Sequence, residues 1–460
     1  MQKIMIKYTG MSLCKNSGKV EKQMSFILHG IHVPHRKSTA GKSPVRLSDV
    51  KSVTIPMQMH VGAPAVPTVR VGDHVDVGTK IAEATAKVSA PIYASISGKV
   101  TKISDMRISS GATVPAITIE SDGAMTRSAD LVAPTVTSRE ELVDAIRESG
   151  VVGLGGAGFP THVKWDVDPA RIEEIVVNGA ECEPYITSDS LTMTERVDDM
   201  ETALRALQTY FAPKSIIIGI EGDKKNAIAA MREMAGRMEG VKVQVLPQIY
   251  PQGGEKVLVY HTTKKVIPVG KLPIDVGCVV CNCTTVAVIG DYLKTGMPLV
   301  EKWVTVDGGA VRQPQNVIAP IGASMEDVFA CCGGLTQDPY KVLYGGPMMG
   351  VTVPDLTAPI LKNTNAILAL SAKEAKLPKT SACIRCGACT NACPFGLAPA
   401  AIARAYNKKD VDALKDLTVN ACMLCGCCSF VCPANRPLVQ TNSLAKQLLK
   451  EKAMEESRHE

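Results

Sequence analysis

At 460 residues the chain is too long for one ordinary core, and about two to four domains are expected. Apolar residues at 45% and charged residues at 21% describe a globular protein, while aromatics at 4% leave too few rings for base-stacking recognition of nucleic acid. The net charge of +6 is dispersed, which marks solvated faces rather than a polyanion site, and no apolar run approaches the ~18 residues of a transmembrane helix.

Residues 1–25 carry lysines without the apolar stretch of a secretory signal and read as a polar tail. His29, His32 and His35 follow at three-residue spacing. Metal binding is one reading of them, but Pro34 prevents a helix from aligning the rings, and a solvated loop is the plainer one. Over 53–103 short alternating apolar segments are separated by Gly, Pro and Asp, the pattern of a compact β domain. The stretch 69–78, with Ala90-Pro91 and 97–100, resembles the biotinyl/lipoyl-type barrel-sandwich domain. Such domains carry a cofactor on a lysine at a hairpin tip. Lys87 lies too close to Ala90-Pro91 to match that turn, so a docking module rather than a carrier is expected over 26–125.

Ser138 and Glu141 form a capping box that opens a helix running to Gly150, its C′ residue. The next stretch, 153–161, contains G-x-G-x-x-G. A helix before it and Phe159-Pro160 after it speak against an ordinary Rossmann phosphate turn. Two readings remain: a structural turn, or a loop whose backbone N–H groups approach an anion or a flat ring. An apolar strand at 175–177 runs into Asn178, and another at 216–220 lies between helical segments 200–211 and 224–238. This alternation predicts an α/β layer over 126–270. Glu181 and Glu183 read as solvated loop unless a cofactor lies there. The Gly turn at 250–256 opens a helix and offers Gly254 and Glu255 to an anion or flavin edge.

The chain is dominated towards its end by Cys383-x2-Cys386-x2-Cys389-x3-Cys393-Pro394, repeated as Cys422-x2-Cys425-x2-Cys428-x3-Cys432-Pro433. Three thiolates at this spacing wrap one corner of a cluster, and the fourth, followed by Pro, ligates the other cluster of a two-cluster ferredoxin. Cys383, Cys386, Cys389 and Cys432 are therefore assigned to one [4Fe–4S] cluster, and Cys422, Cys425, Cys428 and Cys393 to the second. Zinc sites use paired Cys-x2-Cys units and need neither the third spaced Cys nor the trailing Pro. Disulfides are the other alternative, whereas so many cysteines in cluster spacing fit a reducing, cytoplasmic compartment. Cys427 reads as a small buried hydrophobe. A helix-like insert at 398–417 joins the motifs, and a short helix leads into a charged tail at 446–460.

The phrases 155–161 with Lys164-Trp165, then 178–184, then Gly254-Glu255 resemble the flavin-binding motifs of the NADH-oxidising subunit of respiratory complex I. The resemblance implies that Gly155, Gly156, Gly158, Lys164, Asn178, Glu181, Glu183, Gly254 and Glu255 contact non-covalent FMN or NAD(H), with Phe159 near the nucleotide rings. Cys281-Asn282-Cys283 falls where that family has paired Asn residues near the flavin; Asn282 is kept and Cys281 replaces its neighbour. Residues 271–351 resemble the β-grasp domain of soluble-ligand-binding type that follows in the same family. A linker with Pro354, Pro359 and Pro378 spans 352–380, ahead of the two-cluster domain at 381–445.

This order of parts resembles the C-subunit family of the Rnf complex, an ion-pumping ferredoxin:NAD oxidoreductase, over about residues 26–445. Further matching phrases are 30–37, 62–64, 345–350 and 436–440. Cobalamin reductases of diol-utilising microcompartments share the parts but carry the barrel-sandwich domain at the other end. The fold class implied is multidomain α/β and α+β: a barrel-sandwich β domain, a complex-I-like α/β flavin domain, a β-grasp domain and an α-helical, ferredoxin-like two-cluster domain. The function implied is electron exchange between NAD(H), FMN and two [4Fe–4S] clusters, peripheral to the cytoplasmic face of the cell membrane. Other subunits of the complex would be the partners, with ferredoxin reached through them and no nucleic acid involved. Hydride transfer to a flavin requires no acid–base residue, so none is named as catalytic. Two alternatives stay open: a flavin/iron–sulfur reductase of a soluble pathway, and a flavin-less relay protein.

Overall fold

A computed structural model describes residues 28–109, 111–353 and 355–459, so the tail expected over 1–25 lies outside the described residues. The described residues divide into two compact units, 32–378 and, with residues 28–31, 379–459.

The larger unit opens with two antiparallel sheets. One has the order Ser52–Pro56, Thr113–Ser121, Gly98–Arg107, His74–Val75; the other is Val66–Pro67, Lys80–Glu83, Ile92–Tyr93. Strand alternation turns Val53, Ile55, Val100, Ile117 and Ile119 inward, each exposed by 1% or less. After the capping box of Ser138 and Glu141, the helix Arg139–Glu148 ends at Gly150, whose φ of +66° is the left-handed turn expected there.

The third sheet is wholly parallel. It comprises β1 (Glu174–Gly179), β2 (Ser215–Glu221), β3 (Val241–Leu246) and β4 (Cys278–Asn282), in the spatial order β3-β2-β1-β4. The β-branched runs 175–177 and 216–218 are buried throughout, as a parallel sheet requires. Helices Lys225–Ala235, Glu255–Thr263 and Cys283–Thr295 pack on it. The boundary expected after residue 270 is displaced, because β4 pairs with the central strand β1 and so belongs to this sheet.

The fourth sheet has the order Val45–Arg46, Gln315–Pro320, Glu301–Asp307, Ala366–Leu370, Lys341–Tyr344, Val351–Val353. Its strand Ala366–Leu370 comes from the stretch read as a linker. Prolines 354, 359 and 378 disguised an apolar run whose residues are all buried between Glu301–Asp307 and Lys341–Tyr344. In the same stretch Lys362 is fully buried and donates to the carbonyls of Pro91 and Gly150 at 2.6 and 2.7 Å. One hydrophobic cluster runs from Ile55 through Ile175 and Ile218 to Val304 and Ile367. The three domains expected here therefore share a core.

The smaller unit is helical. Ala388–Asn391, Pro399–Asn407, Val411–Asp416, Cys427–Phe430 and Leu438–His459 surround the cysteines. The tail expected from residue 446 is instead the continuation of the last helix. Its Ala, Leu, Glu and Lys are good helix formers, and Ala445 and Leu449 anchor it by burial. Among the described residues no helix is long and apolar enough to cross a membrane.

Candidate functional site

In an open parallel sheet ligands bind beyond the carboxyl ends of the strands, where the chain reverses its winding direction. Here β1, β2 and β3 step to one side and β4 returns to the other flank of β1, so the reversal falls between β1 and β4. Asn282 ends β4 opposite Asn178, the penultimate residue of β1.

Asn282 holds several parts together. Its Oδ1 accepts from the N–H groups of Thr284 and Thr285, capping the helix Cys283–Thr295. Its Nδ2 donates to Asp189 Oδ2 at 2.7 Å, and Thr284 Oγ1 donates to Asp189 Oδ1 at 2.8 Å. The Gly-rich loop leans on the same amide: a Cβ on Gly155 would lie 2.6 Å from Asn282 Nδ2. The loop is fastened by Gly153 N–H to Phe159 O, by Leu154 N–H to Thr285 Oγ1, and by Asn363 Nδ2 to Gly156 O. A Cβ on Gly156, in contrast, would meet nothing within 4 Å, so the backbone there faces open space. Gly158 follows at a φ of +70°.

Beyond β1, Glu181 accepts from Asp189 N–H at 2.6 Å and Ser190 N–H at 3.4 Å. Burial raises its carboxyl to about 7, against the pull of Lys37. Lys37 donates to the carbonyls of Glu181, Glu183 and Ile186 and lies 3.9 Å from Glu181 Oε2; burial lowers its ammonium and Glu181 opposes the shift. Asn178 spans from the Ala180 N–H, which its Oδ1 accepts, to the Gly253 carbonyl, to which its Nδ2 donates. Beside Gly253, Gln252 is fully buried and neither of its amide atoms has a partner among the described residues. An orphaned buried amide at a crevice is hydrogen-bonding capacity held for something else.

The expected residues thus divide. Gly155, Gly156, Gly158, Asn178, Glu181 and Asn282 gather at the reversal point. Glu183 turns to the backbone N–H groups of Met348 and Met349 at 3.0 and 2.8 Å, and burial raises it to about 7. Lys164 donates to the Val280 carbonyl, Phe159 is half-buried, Gly254 caps the helix Glu255–Thr263 and Glu255 is exposed in its first turn. Cys281 points into the core at 2% exposure, so the departure at that position does not alter the open side of the crevice. Lys37, Asp189, Gln252 and Asn363 were given no role by the sequence. Lys37 had a signal there as the end of the phrase 30–37, and Gln252 as part of the Gly turn 250–256. His32 and His35 are exposed in irregular chain, with His35 3.2 Å from Asp223, and Lys87 pairs with Asp166.

In the smaller unit the two cysteine motifs repeat in backbone as well as spelling, at a constant offset of 39 residues (383 to 422, 396 to 435). Arg385 and Leu424 both take positive φ, as do Gly387 and Gly426, and then Gly396 and Asn435. Short helices start after Gly387 and Gly426, and longer ones start at Pro399 and Leu438. Alternating handedness of this kind aims successive N–H groups into a concavity suited to sulfur and other anions. Burial pushes the Cys393 thiol up to about 11, and Cys425 and Cys422 push in the same direction. Burial likewise pushes Cys428 up to about 12, again with Cys422, Cys425 and Cys393 as neighbours. Cys393 therefore lies within electrostatic reach of Cys422 and Cys425 of the second motif. Cys389 packs with Cys428, Cys432 and Ala403 in one apolar cluster. Cys427 is buried, and its bond to the Cys425 sulfur is the first cause that raises it. Among the described residues no set of His, Cys, Asp and Glu is arranged to hold a single metal ion.

Comparison with known proteins agrees with this layout. Residues 26–124 match the RnfC barrel sandwich hybrid domain, 146–291 the Nuo51 FMN-binding domain, 303–352 the SLBB domain and 379–436 the 4Fe-4S dicluster domain. The C subunit of the proton-translocating ferredoxin:NAD(+) oxidoreductase complex of Clostridium ljungdahlii is 40% identical over 385 residues, 81% of this chain and 83% of the relative. The C subunit of the Na(+)-translocating complex of Acetobacterium woodii is 39% identical over 388 residues, 83% of this chain and 87% of the relative. The C subunit of the ion-translocating oxidoreductase complex of Rhodobacter capsulatus is 38% identical over 431 residues, 92% of this chain and 83% of the relative.

Proposed function

This chain belongs to the C-subunit family of ion-translocating ferredoxin:NAD(+) oxidoreductase complexes, and from that premise we propose that it exchanges electrons between NAD(H), FMN and two [4Fe–4S] clusters as a peripheral subunit. The observation that carries the reading is the crevice where β4 returns beside β1, with an open Gly-rich backbone on one side and an unpartnered buried amide on the other.

Bound there, FMN would accept a hydride from the nicotinamide and pass on single electrons, the conversion that neither NAD(H) nor a cluster can make alone. The protein's part is to bind and orient. Gly156, with Gly155 and Gly158 shaping the turn, lets backbone approach the ring or phosphate. Asn178, Asn282 and Gln252 supply amides around it. Glu181 and Asp189, braced by Lys37, fix the wall beyond β1. Lys164, Phe159, Gly254 and Glu255 line the nucleotide side in this reading, while Glu183 acts through the turn of Met348 and Met349. In the smaller unit Cys383, Cys386, Cys389 and Cys432 would hold one cluster, and Cys393, Cys422, Cys425 and Cys428 the other. Their thiols and the paired N–H concavities suit a cuboidal iron–sulfur group.

We assign the two N-terminal sheets to a non-carrier barrel-sandwich module and the mixed six-stranded sheet to a β-grasp domain. Partners are the other subunits of the complex, at the cytoplasmic face, with ferredoxin served indirectly. The test is an anaerobic titration of the flavin- and iron-replete protein with NADH. Flavin absorbance should bleach first and cluster absorbance afterwards, and an artificial one-electron acceptor should then turn over. No change on adding NADH would overturn the reading in favour of a relay protein.

A further inference from the structure

The internal repeat of the smaller unit makes its two halves comparable position by position, and at one buried position they differ in chemistry. Asn442, in the first turns of the helix Leu438–His459, is 1% exposed and donates from Nδ2 to the Cys422 sulfur at 3.4 Å. Its Oδ1 has no partner among the described residues. An amide buried half unmatched is costly to keep, and among the described residues the bond its side chain makes is to the sulfur. One turn on, Lys446 Nζ donates to the Cys422 carbonyl at 2.7 Å, so the same helix face fixes that cysteine's backbone. At the same offset of 39 residues, the first half has Ala403 (442 to 403), buried at 4% and without a donor.

Resting on the cluster assignment above, we propose that Asn442 is a positioning residue that sets the two clusters apart in potential, by hydrogen-bonding the Cys422 ligand of one of them. Each one-electron reduction adds a negative charge shared by the cluster and its thiolates. A donor to a ligand sulfur stabilises that more negative state and raises the potential, one of the levers a protein has over such a group. Ala403 gives its half no such donor. The exposed Cys383 and Cys386 leave solvent to act there instead, whereas three of the four cysteines around Asn442's partner are buried. The N–H···S bond thus acts where water is scarce.

The experiment is an anaerobic redox titration of the full-length protein followed by EPR, with iron measured per chain. In Asn442→Leu, one cluster signal should need a lower potential, by about a tenfold change in its reduced-to-oxidised ratio at fixed potential, or about 59 mV for a one-electron couple. The other signal should stay where it is. Asn442→Ala removes the donor without adding bulk, and its shift should be as large and in the same direction. Unchanged midpoints with iron retained would overturn the proposal. So would loss of one cluster's iron in both variants, which would make Asn442 a packing residue. Failure to find two reducible clusters in the unaltered protein would overturn the cluster assignment itself.

Discussion

The two candidate sites are built in opposite ways. Between Cys383 and Cys432 the thiols lie within a short stretch of chain, and the loops that aim them carry their own turns at Arg385, Gly387, Leu424 and Gly426. The crevice between β1 and β4 draws Lys37, Gly155, Asn178, Asp189, Gln252 and Asn282 from stretches far apart, and the shared core alone brings them together. A local site depends on spacing, whereas a distributed site depends on the whole unit being folded. Damage in one should therefore leave the other intact, and within the local site damage should cross between the repeats.

The largest effect expected is that crossing. Cys432→Ser removes one of four thiolates from a cluster, and the cluster that suffers should be that of Cys383, Cys386 and Cys389 rather than its neighbours in sequence. The placement of Cys393 beside Cys422 and Cys425 is the mirror image of this arrangement. EPR of the reduced variant, with iron analysis, checks it; a change confined to the signal of the Cys422 group would mean each motif closes on itself. Flavin content should not move.

Lys37→Met tests the distributed site. It strips a donor from the carbonyls of Glu181, Glu183 and Ile186 and removes the nearest cation opposing the upward shift of the buried Glu181 carboxyl. Each buried acceptor left unpaired costs about 1–3 kcal/mol. The thermal midpoint of the larger unit should fall while iron per chain holds steady. An unaltered midpoint would mean that Lys37 is not bracing the wall of the crevice.

A third change separates ligand from fold. Gly156 has no neighbour within 4 Å of a would-be Cβ and no left-handed φ, so Gly156→Val is accommodated by the protein itself. Only a molecule in the crevice would meet the branched side chain. Flavin affinity should drop about a hundredfold, or about 2.7 kcal/mol, with the melting curve of the flavin-free protein unchanged. Stoichiometric flavin in the purified variant would remove this loop from the site.

These outcomes also bear on what a sequence can disclose. The cysteine motifs were legible because the ligands, their spacing and the trailing prolines all lie within one window. The strands β1 and β2 were legible from β-branched runs between helical stretches. The strand Ala366–Leu370 was not, because flanking prolines marked the stretch as linker and only its place in the sheet explains its apolar run. Asp189 gave no signal either, and Gln252 gave only its place in the Gly turn 250–256. A lone Asp in a helix and a lone Gln in a turn become site residues only when β1 and β4 set Asn178 and Asn282 side by side.

The smallest expected effect concerns Glu183, which joins the wall of the crevice to the turn of Met348 and Met349. Burial raises its carboxyl from 4.5 to about 7. A carboxyl that holds its proton more tightly folded than unfolded contributes stability fully present below about pH 4.5 and lost as pH rises through about 7, since over that window the folded state binds more protons. Glu183→Gln mimics the protonated form at every pH. Variant and wild type should therefore melt alike below about pH 4.5, and the variant should gain relative to wild type as pH rises, levelling off above about 7. Because the side chain is half-buried rather than sealed, water limits the gain to about 1–2 kcal/mol. Melting curves of both proteins at several pH values between 4 and 8 give the comparison. A difference that stays constant across that range would mean Glu183 ionises as it does in water. The turn of Met348 and Met349 would then rest on a carboxylate above about pH 4.5, and the crevice wall would carry no proton to lose.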